Sequence, residues 1–207
     1  MVVTTMFLTS CSRDDSYTRA DSDRVFTLKM DSENDPAISV FSEIVNEYIL
    51  IYGDLERPKE DILEDIISIT KANNRFMALE GSEGVICNGN DIDEALNSPK
   101  LHVQNLSLCV DSENEILILF DEMLLEDVSL DTLIYNFENI IMDNNYITES
   151  EKDIILRSCY LTLQSNLNDK DKDWGKTAGV MASSLSGGTE SPAQAVFNAA
   201  VITALTL

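Results

Sequence analysis

The feature that most restricts the fold of this sequence is a long C-terminal stretch that carries almost no charge. Residues 177–207 contain a single charged side chain, Glu190, among many alanine, glycine, serine and threonine residues, whereas every one of residues 169–173 is charged. Charged side chains are rarely buried, while small and apolar ones often are. The sequence therefore predicts a boundary near residue 174 and a buried segment after it.

Small residues recur at every fourth position where this stretch begins. They are Gly175, Gly179, Ser183 and Gly187. This spacing places them along one face of a helix, where the lack of bulk lets another backbone approach closely. Gly187-Gly188 is expected to end the helix, and Ser191 with Pro192 provides an N-cap and first turn for a last helix that ends near Leu205. We therefore predict that residues 174–207 form a helical hairpin packed on the body.

The same ladder of small residues resembles the packing motifs of membrane helices and of some pore-forming peptides. Neither half of residues 174–207, however, has the roughly 20 continuously apolar residues that a membrane span needs. Burial inside the protein is the expected state, and a membrane-active segment is the alternative.

Residues 25–173 form an acidic body in which apolar residues recur at spacings of three and four. Such spacing is typical of helices that bury one face. Helices are predicted over residues 37–52 and 129–142, and a further helix has Pro58 in its first turn. A fourth helix is predicted to begin at Thr148, which forms a capping-box pattern with Glu151. The predicted fold class is therefore mainly α, with a single helical domain.

Two regions of the body depart from the helical pattern. Residues 78–98 contain scattered glycine and asparagine and are expected to be the longest irregular region. Residues 101–110 alternate between apolar and polar side chains, and a compact apolar run follows at residues 116–120. This pattern favours a small β-hairpin of residues 101–110 with residues 115–120. A buried helix that begins at residue 116 is the alternative, because a short apolar run fits either structure.

The chain is strongly acidic, with 37 Asp and Glu residues against 14 Lys and Arg and a formal charge of −23. Residues 101–151 contain 12 acidic residues and no Lys or Arg. Such a charge repels the phosphates of nucleic acids and anionic lipid head groups. We therefore expect no nucleic-acid partner. The acidic stretch is interpreted as a solvated face, with a face that attracts cations as the alternative.

Side chains that commonly carry catalysis are sparse. His102 is the only histidine, and the four cysteines, Cys11, Cys87, Cys109 and Cys159, lie far apart without a Cys-x-x-Cys pair. These spacings do not fit a zinc site or a redox motif. From residue 169 to residue 173 the acids are spaced as at the start of a calcium loop. The glycine and the glutamate that such a loop requires at its positions 6 and 12 are absent from the residues that follow. We expect no catalytic residue, no metal site and no cofactor, and a carboxylate-dependent hydrolase is kept as an alternative.

The N-terminal run Leu8-Thr9-Ser10-Cys11 resembles a bacterial lipobox, at which a signal peptidase cuts before a lipid-modified cysteine. The resemblance implies that Cys11 carries the lipid and that Leu8, Thr9 and Ser10 are recognised by the peptidase. The next residues, Ser12-Arg13-Asp14-Asp15, are similar to the export signal of surface lipoproteins of the Bacteroidetes type. Residues 1–10 would then be a truncated signal-peptide-like segment. Residues 11–24, polar and without apolar periodicity, would be the lipidated N-terminus and a flexible tether.

This resemblance points to a location more than to a reaction. It implies a lipid-anchored protein of the cell envelope, at the outer membrane or the cell surface. The protein would be cytoplasmic if Cys11 carries no lipid. We expect a non-enzymatic protein, held to the membrane through Cys11, that binds a protein partner or assists an envelope assembly. Besides the carboxylate-dependent hydrolase, one other alternative is kept. It is a precursor or effector whose residues 174–207 act on membranes.

Overall fold

A computed structural model describes residues 35–53, 55–125, 128–166 and 173–207. These residues form ten α-helices and one short 3₁₀ turn, and they contain no β-strand, so the mainly α class is confirmed. The elements are α1 (Pro36–Tyr52), α2 (Lys59–Ala72), α3 (Asn74–Met77), the 3₁₀ turn (Ser82–Gly84), α4 (Gly89–Asn97), α5 (Pro99–Gln104), α6 (Val110–Met123), α7 (Leu130–Asp143), α8 (Glu149–Asn166), α9 (Trp174–Glu190) and α10 (Pro192–Leu205).

The last two helices, α9 and α10, lie in the centre of the bundle. Every residue from Ala193 to Ala204 is buried, and so is every residue from Thr177 to Leu185. Helix α9 contacts α4, α5, α8 and α10, while α10 also contacts α1, α2 and α8. A helix that is apolar on every side is stable only when protein surrounds it. The C-terminal hairpin is thus the element around which the other helices assemble.

The end of α9 differs from the prediction. Helix α9 continues through Gly187-Gly188 to Glu190, so the expectation that this glycine pair ends the helix is wrong. Glycine is required at position 187 for another reason. A Cβ atom there would lie 2.5 Å from the carbonyl oxygen of Gln194 and 2.7 Å from the amide nitrogen of Ala195. Gly187 therefore allows the backbones of α9 and α10 to approach each other.

Helices predicted from apolar spacing alone are present in the structure as α1, α2 and α7. Helix α1 begins at Pro36, and the Asp35 carboxylate accepts a hydrogen bond from the Ala37 amide at 2.8 Å. Helix α2 begins directly after Pro58. Helix α7 begins after Ser129, whose hydroxyl accepts a hydrogen bond from the amide of the third helical residue. The apolar pattern gives all three helices, and a side-chain cap marks the first residue of α1 and α7.

The predicted start of α8 is confirmed, although its capping box is completed differently. The Thr148 hydroxyl accepts a hydrogen bond from the Glu151 amide at 3.3 Å, as the pattern requires. The Glu151 carboxylate, however, accepts a hydrogen bond from the Cys109 amide at 2.7 Å. This side chain therefore fixes the start of α8 to the start of α6.

The β-hairpin predicted over residues 101–120 is wrong, since these residues form α5, a connection and most of α6. Helix α6 begins behind Cys109, whose sulfur accepts a hydrogen bond from the Ser112 amide at 3.4 Å. Its buried apolar residues are Ile116, Leu119, Phe120 and Met123. The apolar run 116–120 alone fits a strand or a helix, and the helical period becomes visible only when Met123 is included.

The region predicted to be irregular, residues 78–98, contains helix α4, so the prediction is wrong for its second half. The Asn88 side chain caps this helix by accepting a hydrogen bond from the Asn90 amide at 3.2 Å. Only Ile92 and Ala95 of α4 are buried. Two buried residues are too few to produce a recognisable period, which is why the sequence pattern did not reveal this helix.

Candidate functional site

The residues of the predicted lipobox and export signal, Leu8 to Asp15, lie outside the described part of the chain. Lipidation of Cys11 therefore stays a prediction.

The four residues of the small-residue ladder do not meet a common neighbour. A Cβ atom at Gly179 would lie 3.3 Å from the Leu96 side chain of α4, whereas one at Gly187 would meet the backbone of α10. Ser183 accepts a hydrogen bond from the Asn198 side chain through its carbonyl oxygen, and Gly175 lies beside its own capping residue. An α-helix has 3.6 residues per turn, so each step of four residues rotates the ladder by about 40°. The ladder therefore turns around α9, so that Gly179 faces α4 while Ser183 and Gly187 face α10.

The histidine and the buried cysteine that sequence analysis considered occupy structural positions. His102 is buried on α5, and its Nδ1 atom lies 3.3 Å from a carboxylate oxygen of Glu94. It was expected on a strand, and that expectation fails with the hairpin. Burial, and then the charge of Glu138, raise the pKa of the Cys159 thiol, so it is protonated at neutral pH. A protonated, buried thiol is a poor nucleophile.

A cavity of about 210 Å³ lies between α2, α3, the 3₁₀ turn and α10. Thr70, Phe76 and Phe197 are its buried lining residues, and Val85 and Cys87 form a half-buried wall. We call it the Phe197 cavity. Burial raises the pKa of the Cys87 thiol, although the charge of Lys59 opposes this shift. The cavity is concave and mainly apolar, as small-molecule sites usually are.

The wall of the Phe197 cavity is fixed to α10 by the side chain of Gln194. The Ile86 amide donates to Gln194 Oε1 at 2.9 Å, and Gln194 Nε2 donates to the Ile86 carbonyl at 2.8 Å. Gln194 Nε2 also donates to Asn198 Oδ1 at 2.8 Å, and Asn198 Nδ2 donates to the Ser183 carbonyl at 3.1 Å. One side-chain amide thus satisfies both backbone groups of Ile86, which no strand or helix satisfies. We call Gln194 and Asn198 the amide pair.

Replacing Gln194 with leucine is expected to lower the free energy of unfolding by about 2–4 kcal/mol, because three hydrogen bonds are lost and both Ile86 groups lose their partner. Urea denaturation followed by circular dichroism measures this change. The matched control is Gln104→Leu on the exposed surface of α5, which should stay within about 0.5 kcal/mol of the wild type. Similar effects of the two substitutions would show that the amide pair does not fix this wall.

A second cavity, of about 390 Å³, lies between the end of α1, the start of α2 and the end of α10. Its basic residue is Arg57, which lies 4.2 Å from the centroid of the Tyr52 ring and 2.9 Å from a carboxylate oxygen of Asp65. The Tyr52 hydroxyl donates to the same carboxylate at 2.7 Å, and this hydrogen bond raises the pKa of Tyr52. Because Asp65 already neutralises Arg57, these contacts join α1 to α2 and leave little positive charge for a ligand.

Sequence reasoning missed the Phe197 cavity and the amide pair. A signal for the pair was present, because Gln194 and Asn198 are four residues apart in a helix that otherwise has only Thr203 as a polar residue after Pro192. Two amides on one face of an apolar helix must find hydrogen-bond partners inside the protein. The cavity itself gave no signal, because its lining comes from residues 67–87 together with Phe197.

No family model, no curated protein and no solved structure matches this chain. Within the described ranges, no helix combines the length and apolar character needed to cross a membrane. The same residues contain no group of three or more His, Cys, Asp or Glu side chains placed to hold a metal ion.

Proposed function

We propose that this chain is a non-enzymatic, lipid-anchored protein of the cell envelope that binds a protein partner. The observation that carries the proposal is the run Leu8-Thr9-Ser10-Cys11, followed by the acidic export-like residues Asp14 and Asp15. Asp35, where the described helical body begins, follows Cys11 by 24 residues. The anchor and the body are therefore separate parts of the sequence.

The charge of the chain supports attachment through lipid rather than through the protein surface. A formal charge of −23 disfavours contact between the body and anionic head groups. A single acyl chain binds a membrane weakly and reversibly, while two or more acyl chains hold a protein stably. A diacylglyceryl group on Cys11 would provide two acyl chains. Stable attachment would then need no contribution from the helices.

Exposed apolar and acidic residues near the end of α6 favour a partner whose contact surface is basic and apolar. Ile118 on α6 is 51% exposed, and Leu125, which follows the end of this helix, is 66% exposed. Asp121 and Glu122 lie between them and are also exposed. Lys100 of α5 already pairs with Asp121, which shows how a basic side chain is received at this face.

Palmitate labelling in the native cell tests the anchor. We expect the wild type to incorporate label and to fractionate with membranes, and Cys11→Ala to lose both properties together. Cys87→Ala is the matched control, since it removes a cysteine outside the lipobox-like run and should keep the label. An unlabelled wild type, or a labelled Cys11→Ala variant, would contradict the proposal.

Protease treatment of intact cells tests the face of the membrane. If Ser12-Arg13-Asp14-Asp15 directs export to the surface, external protease should degrade the wild type in intact cells. Replacing Asp14 and Asp15 with alanine should then give a protein that is still labelled but is protected from protease. Equal degradation of both proteins would contradict an export role for these residues.

A further inference from the structure

We infer that the Phe197 cavity is a binding site for one small, uncharged aromatic molecule. This inference goes beyond the proposed function and does not depend on Cys11. It rests on the size of the cavity, the chemistry of its lining and the fixed position of its wall.

The size of the cavity fits a single substituted ring. Its volume is about 210 Å³. Engineered cavities of about 150 Å³ with apolar linings bind benzene and exclude water. The Phe197 cavity therefore has room for a benzene ring with a small substituent.

The buried lining favours an uncharged ligand. Phe76 and Phe197 offer only apolar and aromatic surface. The Thr70 hydroxyl lies 2.8 Å and 3.0 Å from the carbonyl oxygens of Ile66 and Ile67, so its single proton is committed within α2. A charged group placed against these three residues would lose its hydration without compensation.

Two sulfur atoms and two phenyl rings favour an aromatic ligand over an aliphatic one. Cys87 lies in the half-buried wall, and Met77 lines the cavity with 41% of its surface exposed. Sulfur contacts with the edge of an aromatic ring are favourable. Aromatic pairs are stabilised beyond the area that they bury. A saturated ring of the same size lacks both contributions.

Hydrogen bonds to α10 hold the wall of the cavity on both sides of the 3₁₀ turn. Gln194 holds the wall at Ile86 by two hydrogen bonds, and the Ala193 amide donates to the Glu80 carbonyl at 3.2 Å on the other side of the 3₁₀ turn. A site that is already ordered costs little conformational entropy on binding. Lys71, Ser82 and Glu83 also line the cavity, and the two charged side chains are exposed and of opposite sign, so together they favour neither an anion nor a cation.

Fluorobenzene is the probe that tests this inference, with the full chain in solution and ¹⁹F NMR as the measurement. We expect saturable binding to the wild type, displacement by toluene, weaker displacement by cyclohexane and no displacement by benzoate. Absence of saturable binding, or displacement by benzoate as strong as that by toluene, would overturn the inference. Equal displacement by cyclohexane and toluene would overturn its aromatic part.

Alkylation of Cys87, followed by mass spectrometry, locates the probe without any substitution. At a free probe concentration ten times its Kd, mass action should slow modification of Cys87 about tenfold. Cys109, which does not line this cavity, should react at an unchanged rate. Equal rates at Cys87 with and without the probe would place fluorobenzene elsewhere and overturn the site.

A pair of phenylalanine substitutions provides a second location test. Cys87→Phe places a ring in the cavity and should abolish fluorobenzene binding. Ile86→Phe is the matched control, because Ile86 is the preceding residue, does not line the cavity and is 66% exposed. If Cys87→Phe does not fold, Val85→Phe serves the same purpose from the same wall. Undiminished binding in a folded, cavity-filled variant would overturn the inference.

Discussion

Gly187→Ala is expected to lower the free energy of unfolding by about 3 kcal/mol, one of the largest effects of any single methyl group in this chain. The new Cβ atom would lie 2.5 Å from the Gln194 carbonyl oxygen and 2.6 Å from its carbonyl carbon. Both are backbone atoms within a buried hairpin, so no side-chain rotation relieves the overlap. The two central helices have to move apart instead, and every helix that packs on them is affected.

Thermal unfolding measures this effect. A change of about 3 kcal/mol corresponds to a decrease of about 6–12 °C in Tm for a chain of this size. Gly84→Ala is the matched control, since a Cβ atom there would have nothing within 4 Å, and its Tm should change by no more than about 2 °C. If Gly187→Ala melts within 2 °C of Gly84→Ala, the close approach of α9 and α10 is not needed for stability.

Gly81→Ala is expected to cost about 2–4 kcal/mol, for two separable reasons. Gly81 has a φ of +80°, a conformation that costs an L-residue about 1–2 kcal/mol. A Cβ atom there would also overlap the Cβ and Oγ atoms of Ser191, the residue that caps α10. The steric contribution arises because Gly81 lies directly against Ser191, the residue that joins α9 to α10.

A double-mutant cycle with Ser191→Gly separates the two contributions. Glycine costs only a few tenths of a kcal/mol as an N-cap, and it removes the atoms that the new Cβ would meet. The double variant should therefore recover about 1–2 kcal/mol relative to the sum of the single variants. Gly81→Ala in the Ser191→Gly background gives the backbone contribution by itself, because the Ser191 side-chain atoms that the new Cβ would meet are absent there. Additive effects in the cycle would rule out the contact between residues 81 and 191.

Helices α1, α2 and α7 were predicted from apolar residues that recur at spacings of three and four. Helix α1 buries seven residues and α7 buries five, so their apolar faces are long enough to be recognised. Helices α4 and α5 bury two residues each, and α6 contains a five-residue apolar run that also fits a strand. The predictions failed where buried residues were few or where the pattern was one continuous apolar run.

The arrangement of the helices and the Phe197 cavity depended on contacts between distant parts of the chain. The amide pair on α10 binds Ile86, which is 108 residues away from Gln194. A sequence pattern can show that Gln194 needs partners, but local spacing cannot supply them. The glycine ladder shows the same limit, because its spacing gives no information on which helix approaches Gly179 and which approaches Gly187.

The central position of α9 and α10 has a consequence for biosynthesis. Residues 174–207 leave the ribosome after every other described helix, yet they form the surface on which α1, α2, α4, α5 and α8 close. Until they emerge, the apolar faces of those helices have no common surface to bury against. We therefore expect the other helices to stay open on the nascent chain until residues 174–207 have left the ribosome.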